Sequence, residues 1–417
     1  MKRIIILIIA AWGMFNSAGA QQTLEQCRQK AKDNYPLVRK YGLITAARDY
    51  NIENVSKGNL PQFTLSAKAS YQSEVTKIPL KIAGLNISSV SRDQYQASLD
   101  IKQNIWDGGR MTSQKRMAEA SADVEREKNN VDLYDLNQRI DQIYFGILLI
   151  DEQLKQNQLL MDDLDRNYKQ IDSYYRNGVA NESDLDAVRA EQLDTKQRRI
   201  ALTDNRSIYI GMLSLFLGEQ IASDANFQKP IDKEPATEIN RPELQWFNSQ
   251  EAQLKRQREV LDAALKPHLG LFAQGSYGRP GLNTLNNNFR PYYLVGIKFE
   301  WNLDGYYTRK NDRLLLDNSK TEIDNARDVF LFNTRMQVAQ QTGNVSSMRR
   351  QMQEDDEIIV LRDRICKAGE SKVAHGTLSV TELLRMINAK DQARQTKALH
   401  EIELLSDIYQ IKYTTNQ

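Results

Sequence analysis

The sequence predicts a mainly α-helical chain with a transmembrane β-barrel, built from a strand pair plus long helical hairpin that occurs twice. Three observations predict it. One pattern of residues returns about 206 positions later. Four segments alternate apolar and polar residues over the roughly 10 to 12 residues of a tilted membrane strand. Two long proline-free stretches carry apolar residues at heptad spacing.

The repeat begins with Asn34-Tyr35-Pro36-Leu37-Val38-Arg39, which returns as Asn240-Arg241-Pro242-Glu243-Leu244-Gln245. Leu60-Pro61-Gln62-Phe63 then matches Lys266-Pro267-His268-Leu269, and Asp107-Gly108 matches Asp304-Gly305. Gly178 with Asp184-Leu185 matches Gly376 with Glu382-Leu383, where a shorter loop between the strands reduces the offset to about 198. A period near 200 is far longer than the roughly 20 to 50 residues of a solenoid repeat, so a domain-sized unit is duplicated. The expected organisation is a signal peptide over 1–20, a first repeat over 21–217, a linker over 218–239 and a second repeat over 240–417.

The signal peptide is read from Lys2-Arg3, the apolar stretch over 4–11 and Ala18-Gly19-Ala20. The stretch is about half the length a membrane-spanning helix needs, which disfavours a permanent anchor. No cysteine stands at the expected cleavage point for lipid attachment.

Each repeat holds two strands, expected over 62–71 and 95–106, then 268–277 and 292–303. Phe63, Leu65, Ala67, Ala69 and Tyr71 alternate with polar partners, and Tyr95, Ala97, Leu99 and Ile101 do the same. Leu269, Leu271 and Ala273 form a third apolar face, and Tyr293, Val295, Ile297 and Phe299 a fourth. The opposite faces carry Lys68, Asp100, Lys102, Lys298 and Glu300, charges that suit a wet lumen. Aromatic girdles are expected from Tyr71, Tyr95, Tyr277, Tyr292 and Tyr293 at one end, and from Trp106 and Trp301 at the other. The long polar links between paired strands read as external loops.

Long helices follow the strands, over about 110–176 and 308–373. In the first, Leu136, Ile140, Ile143, Ile147, Ile150, Leu154, Met161, Leu164, Tyr168, Ile171 and Tyr175 form a seam interrupted by Asn157. In the second, Val338, Val345, Met352, Ile359, Cys366 and Val373 share one heptad position, while Gln341, Asp355 and Arg362 occupy the partner position and predict a side facing water or a channel. Short glycine-bearing turns over 177–181 and 375–378 send shorter helices back.

Composition excludes other classes. The chain has 417 residues with Lys+Arg 56 against Asp+Glu 54, and removing Lys2 and Arg3 leaves 54 against 54. No global basic field remains to recruit nucleic acid. A mean hydropathy of -0.60 disfavours a polytopic helical membrane protein. Two cysteines and three histidines are too scattered for a metal site, and neither a nucleotide-binding loop nor a catalytic constellation is present, so no cofactor, metal or enzyme activity is expected.

Four strands cannot close a barrel, and an open edge in lipid leaves backbone groups unpaired at several kcal/mol each, so copies must pool their strands. Two copies give about eight strands and a filled interior; three give about twelve and an aqueous lumen, so a homotrimer is expected.

The residues Leu24-Glu25-Gln26-Cys27 through Asn34-Tyr35-Pro36, Leu60-Pro61, Ile105-Trp106-Asp107-Gly108-Gly109-Arg110 and the two tips resemble the TolC-like outer-membrane efflux protein family. The resemblance covers essentially the whole exported chain. It implies a trimeric twelve-stranded barrel continued by a periplasmic α-helical tunnel. It also implies an exit duct in the outer membrane for drugs, other small molecules or proteins, working with a periplasmic adaptor protein and an inner-membrane RND or ABC transporter. In that family acidic side chains near the tips narrow the pore, which makes Glu382 and Asp184 gate candidates here. Arg385 departs from the acidic pattern and allows an intersubunit pair with Glu382.

Both acids also sit at helix-capping spacing, after Ser379 and Asn181, and the two roles can coexist. The adaptor is expected at the tips, around Gly178, Val179, Ala180, Gly376, Thr377 and Leu378. Cys366 reads as a buried small hydrophobe, although export permits a disulfide with Cys27. His375 reads as a polar loop residue, and the charged stretch over 349–364 as a solvated helix face. A soluble periplasmic coiled-coil scaffold and a stand-alone porin remain as alternatives. The porin would not need about 100 Å of helix.

Overall fold

The computed structural model describes residues 22–76 and 91–417. The expected signal peptide, and most of the link between the first two strands, lie outside the described residues.

Helices α1 (Leu24–Asn34) and α2 (Val38–Ser56) lead into strands β1 (Gln62–Tyr71) and β2 (Asp93–Trp106), then α3 (Arg110–Arg176) and α4 (Glu182–Leu217). The order repeats as α5 (Pro242–Ala264), β3 (His268–Arg279), β4 (Arg290–Glu300), α6 (Gly305–Ala374) and α7 (Val380–Thr415). The second half lacks the break that Pro36 imposes between α1 and α2. Proline lacks an amide hydrogen and fixes φ, so it is tolerated only at the start of a helix. Pro242 occupies that first position in α5.

Two compact units cut across the sequence repeats. One combines Tyr41–Lys128 with Gln245–Arg327, and the other combines the described part of Met1–Lys40 with Asn129–Leu244 and Asp328–Gln417.

The first unit holds an antiparallel sheet in the order β1-β2-β3-β4, so strands from the two repeats pair along the β2–β3 boundary. Register aligns like with like. Leu65 faces Leu99, which faces Gly275, which faces Tyr293. One row away, Thr64 faces Asp100, which faces Gln274. The sheet therefore has one apolar and one polar face, as period-two alternation dictates. Strand-to-helix turns are built on aspartate. Asp107 accepts hydrogen bonds from Gly109 N at 2.9 Å and Met111 N at 2.7 Å, which satisfies amides at the start of α3. Gly108 holds φ +67°, and a Cβ there would stand 2.7 Å from Lys266 Cβ, so conformation and contact both demand glycine.

The second unit is helical, with three clusters of buried apolar residues. The first joins Leu24, Cys27 and Ala31 of α1 to Ile140, Tyr144 and Ile147 of α3 and to Leu213 and Leu217 of α4. The second joins Leu160, Leu164 and Ile171 to Val188, Cys366, Val373, Leu383 and Ile387 near both tips. A third joins Val345 to Leu404, Ile408 and Ile411. The α3 seam is buried as expected at Leu136, Ile140, Ile143, Ile147, Ile150, Leu164 and Ile171, and Asn157 is buried within it, donating to Thr195 O at 3.0 Å. At its distal end the seam surfaces, with Tyr175 exposed.

The α6 expectation needs correction. Arg362 is exposed, but Asp355 does not face water. Its side chain is 6% exposed and meets His400 Nδ1 of α7 at 2.8 Å. A charged residue at a seam position signals a partner on the neighbouring helix as readily as it signals solvent, and sequence distinguishes the two poorly. For the same reason the stretch over 349–364 is only partly a solvated face. Both cysteines are free thiols, buried in different apolar clusters. Burial pushes the Cys27 thiol up to about 11.

Candidate functional site: helical tips and membrane face

The two tips are built alike. Gly178 holds φ +76° and Gly376 φ +67°, the left-handed conformation that ends a helix. Val179 N donates to Tyr174 O at 2.9 Å, and Thr377 N donates to Lys372 O at 2.9 Å, so both helices end in the Schellman pattern. The return helices start differently. Asn181 and Asp184 form a complete reciprocal capping box, with Asp184 N to Asn181 Oδ1 at 3.1 Å and Asn181 N to Asp184 Oδ2 at 3.1 Å. At the second tip Glu382 N donates to Ser379 Oγ at 3.2 Å, but the Glu382 carboxylate turns to Arg385 Nη1 at 2.9 Å within the same chain. Asp184 is thus occupied at its own helix start, while Glu382 forms an exposed pair one turn along α7.

The structure also sorts the residues expected to face an adaptor. Gly178, Val179, Gly376 and Thr377 are exposed. Ala180 and Leu378 are half-buried and pack against the tip core.

Behind the tips lies a charge network that the sequence did not reveal. Lys390 Nζ of α7 stands 2.7 Å from Asp163 Oδ2 of α3, with the two side chains 7% and 10% exposed. Arg394 approaches the same oxygen at 3.6 Å, and Asp363 of α6 lies 3.7 Å from Lys390. Asp391, one residue away, is buried and held by the Gln395 amide. Burial pushes its carboxyl up to about 6. Such pairs join helices distant in the chain, and an isolated lysine or aspartate on a heptad offers no local signal of its partner. Farther from the tips, Arg28 of α1 grips Asp141 of α3 through Nε at 2.7 Å and Nη2 at 2.6 Å, the two-pronged geometry that suits guanidinium and carboxylate. Tyr144, fully buried, donates its hydroxyl to backbone oxygens of Gln22 and Gln228 and ties down the chain after α4.

In the sheet unit the apolar face is bare: Phe63, Leu65, Leu271, Val295, Ile297 and Phe299 are all exposed. The aromatic residues at its loop end follow a slant. In the frame of β2, Tyr71 lies opposite Asp93, followed by Tyr95 itself, Tyr277 opposite Ala97 and Gly275 opposite Leu99, with Tyr293 facing Gly275. Each strand shifts the tyrosine by two residues, about 6.6 Å along a strand for about 4.8 Å across. A belt level with a membrane surface then requires strands tilted by about 50–55°, somewhat steeper than the usual roughly 35–45°.

At the helix end Trp106 has the parity of the polar face. A bulge between Asn104 and Trp106 brings it opposite Leu269, on the apolar face. Trp301 lies just past β4 and donates Nε1 to Leu265 O at 3.0 Å. Tyr292 is a correction: it points to the polar face, where its hydroxyl accepts from Gln96 Nε2 at 2.8 Å, and so it does not belong to the girdle.

The chain thus combines an apolar-faced sheet of strands long enough to span a membrane with long helical hairpins, in a duplicated design. Known structures share it. The outer-membrane channel OprN aligns with TM-score 0.68 at 14% identity, covering 94% of this chain and 89% of that one. CusC, whose structures concern folding and transmembrane channel formation, aligns with TM-score 0.67 at 15% identity, over 96% and 95%. The outer membrane protein VceC from Vibrio cholerae aligns with TM-score 0.65 at 10% identity, over 94% and 95%. Residues 27–219 match the model described as outer membrane efflux protein. No curated protein matches the chain in sequence. The family match thus covers a little under half of the chain, while the fold shared with these outer-membrane channels extends over nearly its whole length.

Proposed function

We propose that this protein is the exit duct of a tripartite efflux or type I secretion system, acting as a homotrimer. Three copies pool their sheets into a twelve-stranded barrel in outer-membrane lipid, and the helical hairpins form a tunnel through the periplasm. A periplasmic adaptor docks at the exposed tip residues Gly178, Val179, Gly376 and Thr377, and couples the duct to an inner-membrane RND or ABC transporter. Drugs, other small molecules or proteins are the cargo.

The observation that carries this reading is the sheet itself. Among the described residues its two outer strands, β1 and β4, each have one edge unpaired, and its apolar face is uncovered. In lipid both edges need partners, and further copies of the same sheet supply them in register. At the tips, Glu382, Arg385 and Asp184 form the gate region: three copies would bring three Glu382–Arg385 pairs around one axis.

The experiment is the native mass of the protein after fractionation of the envelope and extraction in mild detergent. A species of three chains from the outer membrane supports the duct. A monomer released without detergent overturns it.

A further inference from the structure

On the polar face of the sheet, near its helix end, sits a depression of about 310 Å³ lined by Lys102, Asn104, His268, Gly270, Phe272 and Lys298 among others. That is a volume at the lower end of small-molecule sites. Register explains it. Lys102 lies opposite Phe272, which lies opposite Gly296, and one row on Gly270 lies opposite Lys298. The two glycines contribute no side chain. The Phe272 ring lies over Gly296, where a Cβ would stand 2.8 Å from the ring. A phenyl group on an otherwise polar face thus has one side seated on backbone and borders an open space.

Two ammonium groups, Lys102 and Lys298, stand among its lining residues beside two carboxylates, Asp100 and Glu300, and the four are engaged differently. Asp100 is engaged on both oxygens, by Gln274 Nε2 at 2.8 Å and Ser98 Oγ at 3.2 Å. Glu300 is engaged by Lys298 Nζ at 2.6 Å and His268 Nε2 at 3.5 Å. Lys102 has no ion pair among the described residues. An ammonium outside any ion pair beside a phenyl ring, with both neighbouring carboxylates already held by other groups, is complementary to a flat apolar group that carries an anionic head.

We propose that this depression is a binding station for small aromatic anions, with Phe272 receiving the ring and Lys102 receiving the carboxylate, sulfonate or phosphate. The inference rests on the duct reading, because it places the polar face along the path of cargo, and it names a cargo class which that reading leaves open. Three copies would place three stations in a ring at the entrance to the barrel. Aromatic anions would be concentrated there ahead of cations of the same size.

The test is ligand-observed saturation-transfer NMR on the full-length detergent-extracted protein. The probes are phenyl phosphate, methyl phosphate and benzylammonium. Phenyl phosphate should bind about 5-fold or more tightly than either of the others, one lacking the ring and the other inverting the charge. Lys102→Gln and Phe272→Leu should each weaken it by about 3- to 10-fold, leucine being chosen because it still covers Gly296. Lys68→Gln serves as control, since Lys68 lies opposite Gln96, about 20 Å along the strand from Lys102, and should change nothing. Binding unaffected by Lys102→Gln and Phe272→Leu would overturn the station, as would an equal loss in Lys68→Gln, which would mean a diffuse field. Native mass and bilayer conductance of the same preparation report on the duct separately. A non-conducting monomer that still binds phenyl phosphate in a Lys102-dependent way would sink the duct and leave the site.

Discussion

Asp391 is the residue whose environment departs most from its sequence appearance. It reads as one charge among many on α7, but it is buried and its carboxyl is pushed up to about 6 by loss of water. An acid with a raised folded-state value binds its proton more tightly in the native state than in the unfolded chain. Its contribution to stability is therefore most favourable below the ordinary carboxylate range, and is lost as pH rises from about 4 through about 6. Asp391→Asn, which keeps an oxygen for the Gln395 amide, should stabilise the protein at pH 7.5 by about 1–3 kcal/mol and flatten the change between pH 4 and 6. Denaturation of the detergent-extracted protein followed across that range reads this directly. Equal pH dependence in both proteins would show that the buried carboxyl is not the cause. Lys390 should behave in the opposite way: Lys390→Met removes one of the three cations around Asp163, which keeps Arg166 and Arg394, and should cost about 1–3 kcal/mol at neutral pH. The gate proposal concerns Glu382. Its carboxylate pairs with Arg385, so Glu382→Ala removes an anion and frees a cation. Closed-state conductance in bilayers should shift towards anion preference, and altered stability with unaltered conductance would leave only a role at the helix start.

At the scale of elements, the tips show how local sequence dictates local structure. Gly178 and Gly376 both stand in open space, with nothing within 4 Å of an added Cβ. Gly376→Ala should therefore cost only the left-handed strain, about 1 kcal/mol. Gly108→Ala should cost more, because the new methyl would also meet Lys266 at 2.7 Å. Thermal unfolding of the two variants side by side checks the ranking. Both turns, the capping residues Asn181 and Ser379 and the strand pairs were legible because each depends on residues a few positions apart. The Trp106 bulge was not: alternation assigns that ring to the polar face, and only pairing with β3 shows the extra residue. Tyr292 was misplaced for a related reason. Two adjacent tyrosines on a strand must point to opposite faces, and only one can join a girdle.

At the scale of the whole molecule, the uncovered apolar face predicts where substitution prevents assembly. Leu65 is 80% exposed and sits amid the β1–β4 rows. Leu65→Arg should cost about 2–4 kcal/mol if the face meets the middle of a bilayer, and should reduce the trimer recovered from the outer membrane. Ser66→Arg, one position along on the polar face, should be tolerated. Equal recovery of both variants would argue against a lipid-facing surface. The sequence by itself determined the duplicated unit, the strand and helix boundaries to within a few residues, and the turns. Those rest on periodicity and on contacts between near neighbours in the chain. Tertiary structure alone decided that Asp355 meets His400, that Lys390 meets Asp163, and that Phe272 borders a cavity. A side chain able to cap, to pair or to face water chooses among partners that only the packed helices and the register of the sheet bring within about 3 Å.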